Sequence, residues 1–484
     1  MFNNSLSRLQ RFVSSLSSIA KRGELPSRSF IFVVALSCAA LTLTSPAQTF
    51  TTIATGVGTG YNSPLIQGTD GNLYGTTSGN VFKITPAGTV TYVYGFCSQP
   101  GCPDGKSPSG ALVQGTDGNF YGTTREGGVT GNNVNPQGTV FKISQKGVFT
   151  NIHTFSGSDG GTPNGGLVQG GGGDFFGTTL VRGGDLSLGT TFKISPTGVL
   201  TTLYAFPSSG SQGGNPAGGL VQGNDGNFYG VTSDGGGTDC SDVDGSGCGT
   251  VFKVTPSGIF TTLAFLEPPD GFPQSSLALG SDGNFYGTAN TPEVGAAFQM
   301  TPDGAISTLY TFDGSVGFDA PVAGLVQGTD GNFYGTTRVT GGRTCNPQDT
   351  DCGTVFQLTP SGELTTLYNF TAGTDGSDPI TTLMQATNGI FYGRTSSTIF
   401  SLSMGLAPFV IPQPKLGPVG KKITILGTNL TGVSAVSFNG TPATFTAGTS
   451  AILATVPAGA TTGTITVTTS SGTLLSNVVF TVTD

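Results

Sequence analysis

The chain has 484 residues, 80 of them Gly and 28 Pro, with 10% charged residues and a formal net charge of -8. A 36% hydrophobic fraction with 33 Phe is too apolar for a disordered chain, and Gly without a triplet period is not collagen. Only 19 Lys plus Arg, unclustered, argue against nucleic acid, and one His with no Trp leaves little for imidazole catalysis or multi-His metal sites.

The first 47 residues read as an address. Arg8, Arg11, Lys21, Arg22 and Arg28 precede an apolar run from Phe30 to Leu43, and Ser45-Pro46-Ala47 offers the small residues a signal peptidase needs, which predicts an exported chain cleaved after about Ala47. The run is about 14 residues, short of the roughly 20 of a spanning helix. No membrane span is expected in the mature chain. Cys38, after Ala35-Leu36-Ser37, is read as a discarded leader residue.

From residue 48 to 407 one phrase recurs seven times, about every 47 to 58 residues. It opens at Asp70, Asp117, a worn copy at Gly173-Asp174, Asp225, Asp282, Asp330 and Asn388, as in Asp117-Gly118-Asn119-Phe120-Tyr121-Gly122. An apolar run precedes each copy (Leu112-Val113-Gln114) and another follows (Val140-Phe141-Lys142-Ile143). A Pro-x-Gly turn such as Pro256-Ser257-Gly258 then leads to a fourth run, Phe260-Thr261-Thr262-Leu263. Asp-Gly and Pro-x-Gly between β-branched and aromatic runs predict four strands per unit. Seven such units, apolar on both sides, predict a seven-bladed β-propeller. The last unit stops at Ile399-Phe400-Ser401-Leu402, and Thr49-Phe50-Thr51-Thr52-Ile53 carries its missing fourth strand, so the N-terminal strand is expected to close the last blade.

Loop lengths separate two faces. First-to-second and third-to-fourth turns are uniformly short, whereas the other face carries inserts at Arg125 to Gly138, Ser233 to Gly249 and Arg338 to Gly353. A ligand or partner belongs on that variable face, although unconstrained loops would drift in the same way. Six cysteines form three close pairs in such connections, Cys97 with Cys102, Cys240 with Cys248 and Cys345 with Cys352, and in an exported chain these predict local disulfides.

Other side chains have two readings. The recurrent Gln67, Gln114, Gln169, Gln222, Gln327 and Gln385 could ring a ligand channel, but amides satisfying backbone groups between blades fit a repeated position better. Asp239, Asp242 and Asp244 form an acidic loop that could hold Ca²⁺, though it lacks the distal Glu of a calcium loop. Glu126, Glu267 and Glu293 lie in variable-face loops, where a convergent pair would allow glycosidase chemistry. His153 falls inside a predicted fourth strand, which leaves a Ser nucleophile without a usable His.

The Pro-spaced stretch from Pro408 to Pro414 reads as a linker, and Lys421 to Asp484 alternates Thr, Val and Ile between Gly and Asn turns, the pattern of a β-sandwich. Ile423-Thr424-Ile425-Leu426-Gly427, Val436-Ser437-Phe438-Asn439-Gly440 and Val456-Pro457-Ala458-Gly459 resemble the IPT/TIG immunoglobulin-like family, here over 408–484. The repeat phrase, with Gly-Thr-Val-Phe-Lys-Ile-Thr-Pro-Ser-Gly after it, resembles the GloVer tandem repeat. That resemblance implies an exported bacterial protein, often held at the cell surface by an interchangeable C-terminal device. This chain departs from it in ending on the sandwich, with no apolar tail. Neither family implies catalysis or a cofactor. The expectation is a noncatalytic extracellular binding or surface scaffold protein whose partner is a glycan or protein. A polysaccharide hydrolase or lyase and a structural surface-layer component are the alternatives.

Overall fold

One repeated phrase builds both a turn and an interface. In the first copy Asp70 Oδ1 accepts from the Asn72 backbone N–H (3.2 Å), while Oδ2 accepts from the Asn72 amide and the Tyr74 hydroxyl (both 2.8 Å). Gly71 supplies the positive φ of 79° that the turn requires. The same bonds recur at Asp117, Asp225, Asp282 and Asp330. Each hydroxyl so held leaves its ring packed at a tilt against the Phe of the next unit. Tyr74 meets Phe120, Tyr121 meets Phe175, Tyr229 meets Phe285 and Tyr334 meets Phe391, all at 4.1 Å between centroids. The Gly after each Tyr makes room for this packing: at Gly393 a Cβ would lie 2.4 Å from the Phe400 ring. Burial and the neighbouring carboxylate push these phenols well above the usual tyrosine range, so they stay donors.

The computed structural model describes residues 48–58, 63–128, 137–181, 187–236, 247–290, 295–312, 321–338 and 352–483; the expected leader lies outside them. Among the described residues every regular element is a strand. In the first unit Ile66–Gln67, Leu73–Thr76, Asn80–Ile84 and Val90–Gly95 pair antiparallel in chain order. Sheets of this kind follow one another through the chain, and the seventh is Met384–Gln385, Phe391–Arg394 and Thr398–Ser403 completed by Thr49–Thr55. The N-terminal strand therefore supplies the outer strand of this sheet, in register from Thr49 opposite Ser403 to Thr55 opposite Thr398. Phe50 stacks on Tyr368 at 3.6 Å and on Phe400 at 5.2 Å.

The last sheet also packs directly on the first. Gln67 Nε2 donates to Thr387 Oγ1 (3.0 Å), and the Thr387 N–H donates back to Gln67 Oε1 (2.9 Å). Where five other units place Thr76, Thr123, Thr178, Thr288 or Thr336 after the aromatic-Gly pair, the seventh places Arg394. Its guanidinium donates to the carbonyls of Thr76 (2.6 Å), Gly58 (3.1 Å) and Ser63 (3.3 Å) and lies 5.1 Å from the Phe82 ring. Desolvation pushes Arg394 down to about 10, so it remains a cation at neutral pH.

The tail forms two four-stranded sheets, beside a parallel pair of Leu416–Pro418 with Thr481–Thr483. One orders Ile411–Gln413, Lys422–Leu426, Ala451–Thr455 and Phe445–Ala447; the other orders Thr441–Pro442, Ala435–Phe438, Ile465–Thr469 and Gly472–Leu475. Ile423, Ile425, Val436, Phe438, Ile452, Val467 and Phe480 fill the space between them. Residues 411–413, read from sequence as linker, are instead an edge strand. Pro412 is tolerated there because an edge strand needs ladder bonds on one side only.

Candidate binding faces of the ring

The short-turn face is not free. Ser450 Oγ of the sandwich donates to Thr69 O (2.7 Å), Thr428 and Thr387 share a hydroxyl hydrogen bond (2.6 Å), and Lys421 Nζ donates to Gly171 O. The connecting segment crosses the same face, since a Cβ at Gly389 would fall 2.2 Å from Leu406 O. Thr69, Gly171, Thr387 and Gly389 all belong to first-to-second turns, so the sandwich sits over the uniform face of the ring.

Beneath it runs the belt of amides. Gln114 Oε1 accepts from the Thr69 N–H of the preceding sheet (2.9 Å), and Gln169 does the same for Thr116, Gln327 for Ser281 and Gln385 for Thr329. Their Nε2 groups donate to turn carbonyls such as Gly118 O and Gly331 O. These glutamines are inter-sheet braces, the second of the two readings above. The other end of the axis is narrow. A Cβ at Gly110 would sit 2.3 Å from Gly166 N, and one at Gly165 would sit 2.3 Å from Gly219 N. About 150 Å³ of space is left between these backbones, room for a few waters rather than a sugar chain.

The variable-loop face is built differently. Cys97 and Cys102 form a disulfide there. Cys248 and Cys352 are buried and disulfide-bonded, while Cys240 and Cys345, their expected partners, lie outside the described residues. So do Asp239, Asp242, Asp244 and Glu293. Among the described residues no group of three or more His, Cys, Asp or Glu converges to hold a metal. Glu126 pairs with Lys106 at 3.1 Å, and Glu267 gives its backbone carbonyl to the Asp270 N–H (2.8 Å).

Loop aspartates cap the outer strands on this face. Asp104 accepts from the Tyr94 hydroxyl and the Cys97 N–H, and Asp375 accepts from the Tyr368 hydroxyl and the Thr371 N–H. Asp159 accepts in the same way from His153 Nε2 (2.8 Å) and the Ser156 N–H. His153 thus stands at the Tyr position of its repeat and does the work of a phenol. Burial works to raise the Asp159 pKa, but those hydrogen bonds outweigh it and hold the carboxyl low. At Asp270 the pattern fails, because Ala264 occupies the Tyr position. Among the described residues Asp270 keeps only the Thr308 hydroxyl (2.7 Å) as a side-chain donor and its buried Oδ1 has no partner, and desolvation raises its pKa. Comparing the repeats at this position would have found both departures from sequence.

The repeat matches the Gloeobacter/Verrucomicrobia repeat over residues 37–244 and 240–404. The chain belongs to that repeat family. Residues 413–482 match the IPT/TIG domain. Among curated proteins none matches the chain. Solved structures share the ring: a virginiamycin B lyase from Staphylococcus aureus is 16% identical with a TM-score of 0.52, over 74% of this chain and 99% of its own. The extracellular domain of a hybrid two-component system from B. thetaiotaomicron is 11% identical with a TM-score of 0.51, over 88% of this chain and 57% of its own. At these identities the likeness is one of fold, a β-propeller within an all-β chain.

Proposed function

We propose that the chain is an exported, noncatalytic binding or scaffold protein, with a signal peptide over 1–47, a closed seven-bladed propeller over 48–407 and an IPT/TIG domain over 408–484. Its ligand, a glycan or protein, docks on the variable-loop face. The observation that carries this reading is the seat of the sandwich: it covers the short-turn face through Ser450, Thr428 and Lys421, which leaves the loop face for a macromolecule. Extracellular sensor domains of similar fold support an extracellular binding role.

A glycan array probed with the chain from residue 48 onward, with and without Ca²⁺, tests the ligand class. Replacing 125–138 or 338–353 by a short Gly-Ser turn should abolish binding and leave the ring folded, because ring stability resides in the sheet interfaces. Binding that survives both replacements defeats the assignment of the face.

A further inference from the structure

Between the turn face and the sandwich lies a chamber of about 780 Å³, within the roughly 300 to 1,000 Å³ usual for small-molecule sites. One wall is the ends of innermost strands, including Val221–Gln222 and Ala278–Leu279. The other comes from the sandwich and the segment leading to it, where Leu416, Leu475 and Val479 stand beside Thr473, Ser476 and Asn477. Leu475 and Val479, 54% and 43% exposed, both line this space. A shallower hollow of about 390 Å³ shares Gln222 and Leu416 with the chamber and reaches outward past Gly172 and Pro418.

The amide belt is interrupted at this wall and at two successive junctions. Gln222 Nε2 donates to Gly226 O (3.0 Å), but among the described residues nothing donates to its Oε1. At the next junction Leu279 replaces the glutamine, so the Asn224 N–H lacks the acceptor that Thr69, Thr116, Ser281 and Thr329 have. Lys415 lines the same chamber. It is exposed on the chamber's edge, and desolvation by the surrounding protein holds its ammonium below the ordinary lysine range. It forms no ion pair among the described residues. Asp330, on the same wall, is already hydrogen-bonded to Asn332 and Tyr334.

We propose that this chamber binds a small amphipathic carboxylate, its chain against Leu416, Leu475 and Val479 and its head on Lys415 and the Asn224 N–H. Within the lining, Lys415 and the Asn224 N–H supply donors for such a head, the unpartnered acceptors Gln222 Oε1 and Asn477 Oδ1 are left to water, and the apolar side chains take the hydrocarbon body. The site is separate from the loop face and goes beyond the reading above.

Isothermal titration of the exported chain with dodecanoate and with 1-dodecanol tests it. Dodecanoate should saturate at one per chain, and Lys415→Met should weaken it about tenfold without changing 1-dodecanol. Lys415→Arg should retain most of the affinity, and Leu475→Asn should weaken both ligands. Unsaturable dodecanoate binding overturns the proposal, as does equal wild-type affinity for acid and alcohol. A Lys415→Met chain with native tyrosine fluorescence that binds dodecanoate like the wild type overturns it too. Gly-Ser replacement of the variable loops should leave this titration unchanged, so failure of one site is distinguishable from failure of the other.

Discussion

Ring closure rests on Phe50, and Phe50→Ala measures it. The ring stacks on Tyr368 at 3.6 Å and Phe400 at 5.2 Å and meets Phe370 edge-on at 5.7 Å. Truncating a fully buried Phe costs about 3 to 5 kcal/mol; Phe50 is half-buried, so about 2 kcal/mol is expected from the same principle. Part of that loss belongs to the stacked pair. A double-mutant cycle with Tyr368→Ala should return a coupling of about 0.5 to 1.5 kcal/mol. Tyrosine fluorescence during urea denaturation is the assay, because the chain has no Trp and none of its 12 Tyr lies beyond residue 392. The signal therefore reports the ring and not the sandwich. Deleting residues 48–55 should go further and expose an unpaired edge along Thr398–Ser403, giving concentration-dependent association. A coupling near zero together with a monomeric truncation of unchanged midpoint refutes closure by this strand.

Three further outcomes follow from the same contacts. Asp270 has its pKa raised by burial from 3.8, so its ionised form costs stability that is recovered as pH falls; Asp270→Asn should stabilise by about 1 kcal/mol at pH 7, with the gain over wild type shrinking as pH approaches 3.8 in a denaturation series. Arg394→Met strips the donors from the carbonyls of Gly58, Ser63 and Thr76 and should cost about 1 to 3 kcal/mol in the same urea assay. His153→Tyr restores the repeat residue opposite Asp159 and should leave the midpoint within about 0.5 kcal/mol; a larger loss would show that His153 is not a substitute phenol.

The repeat was readable because each phrase carries its whole environment. Asp-Gly-Asn-Phe-Tyr-Gly specifies a turn, a hydroxyl partner and a ring facing the next sheet, all within six residues, and the closing strand was visible as the fourth-strand phrase displaced to Thr49. The glutamine braces were legible for the same reason. Arg394 was visible only as a departure from Thr, since nothing linear says that its guanidinium reaches residues more than 300 positions earlier. The seat of the sandwich left no trace at all. Ser450, Thr428 and Lys421 are ordinary turn and edge residues of an IPT/TIG domain, and their partners are turn residues and backbone carbonyls, which any sequence possesses.

That seat is open to a direct test that spares both cores. Ser450 lies close over the first turn, with its Cβ 3.3 Å from where a Cβ on Gly71 would stand and its hydroxyl on Thr69 O. Ser450→Phe cannot fit that gap, while residue 450 contributes nothing to the sandwich interior formed by Ile423, Ile452 and Val467. The bulky ring should lift the sandwich from the turns of the first and seventh sheets, break the Thr387–Thr428 bond and expose the connecting segment around Leu406. Small-angle scattering should show a larger radius of gyration, and limited proteolysis should cut near 404–409. The tyrosine-detected midpoint should move by less than about 1 kcal/mol, because the sheet interfaces remain intact. A substituted chain that stays compact and protease-resistant would mean that the hydrogen bonds at Thr69 and Thr387 do not hold the sandwich in place.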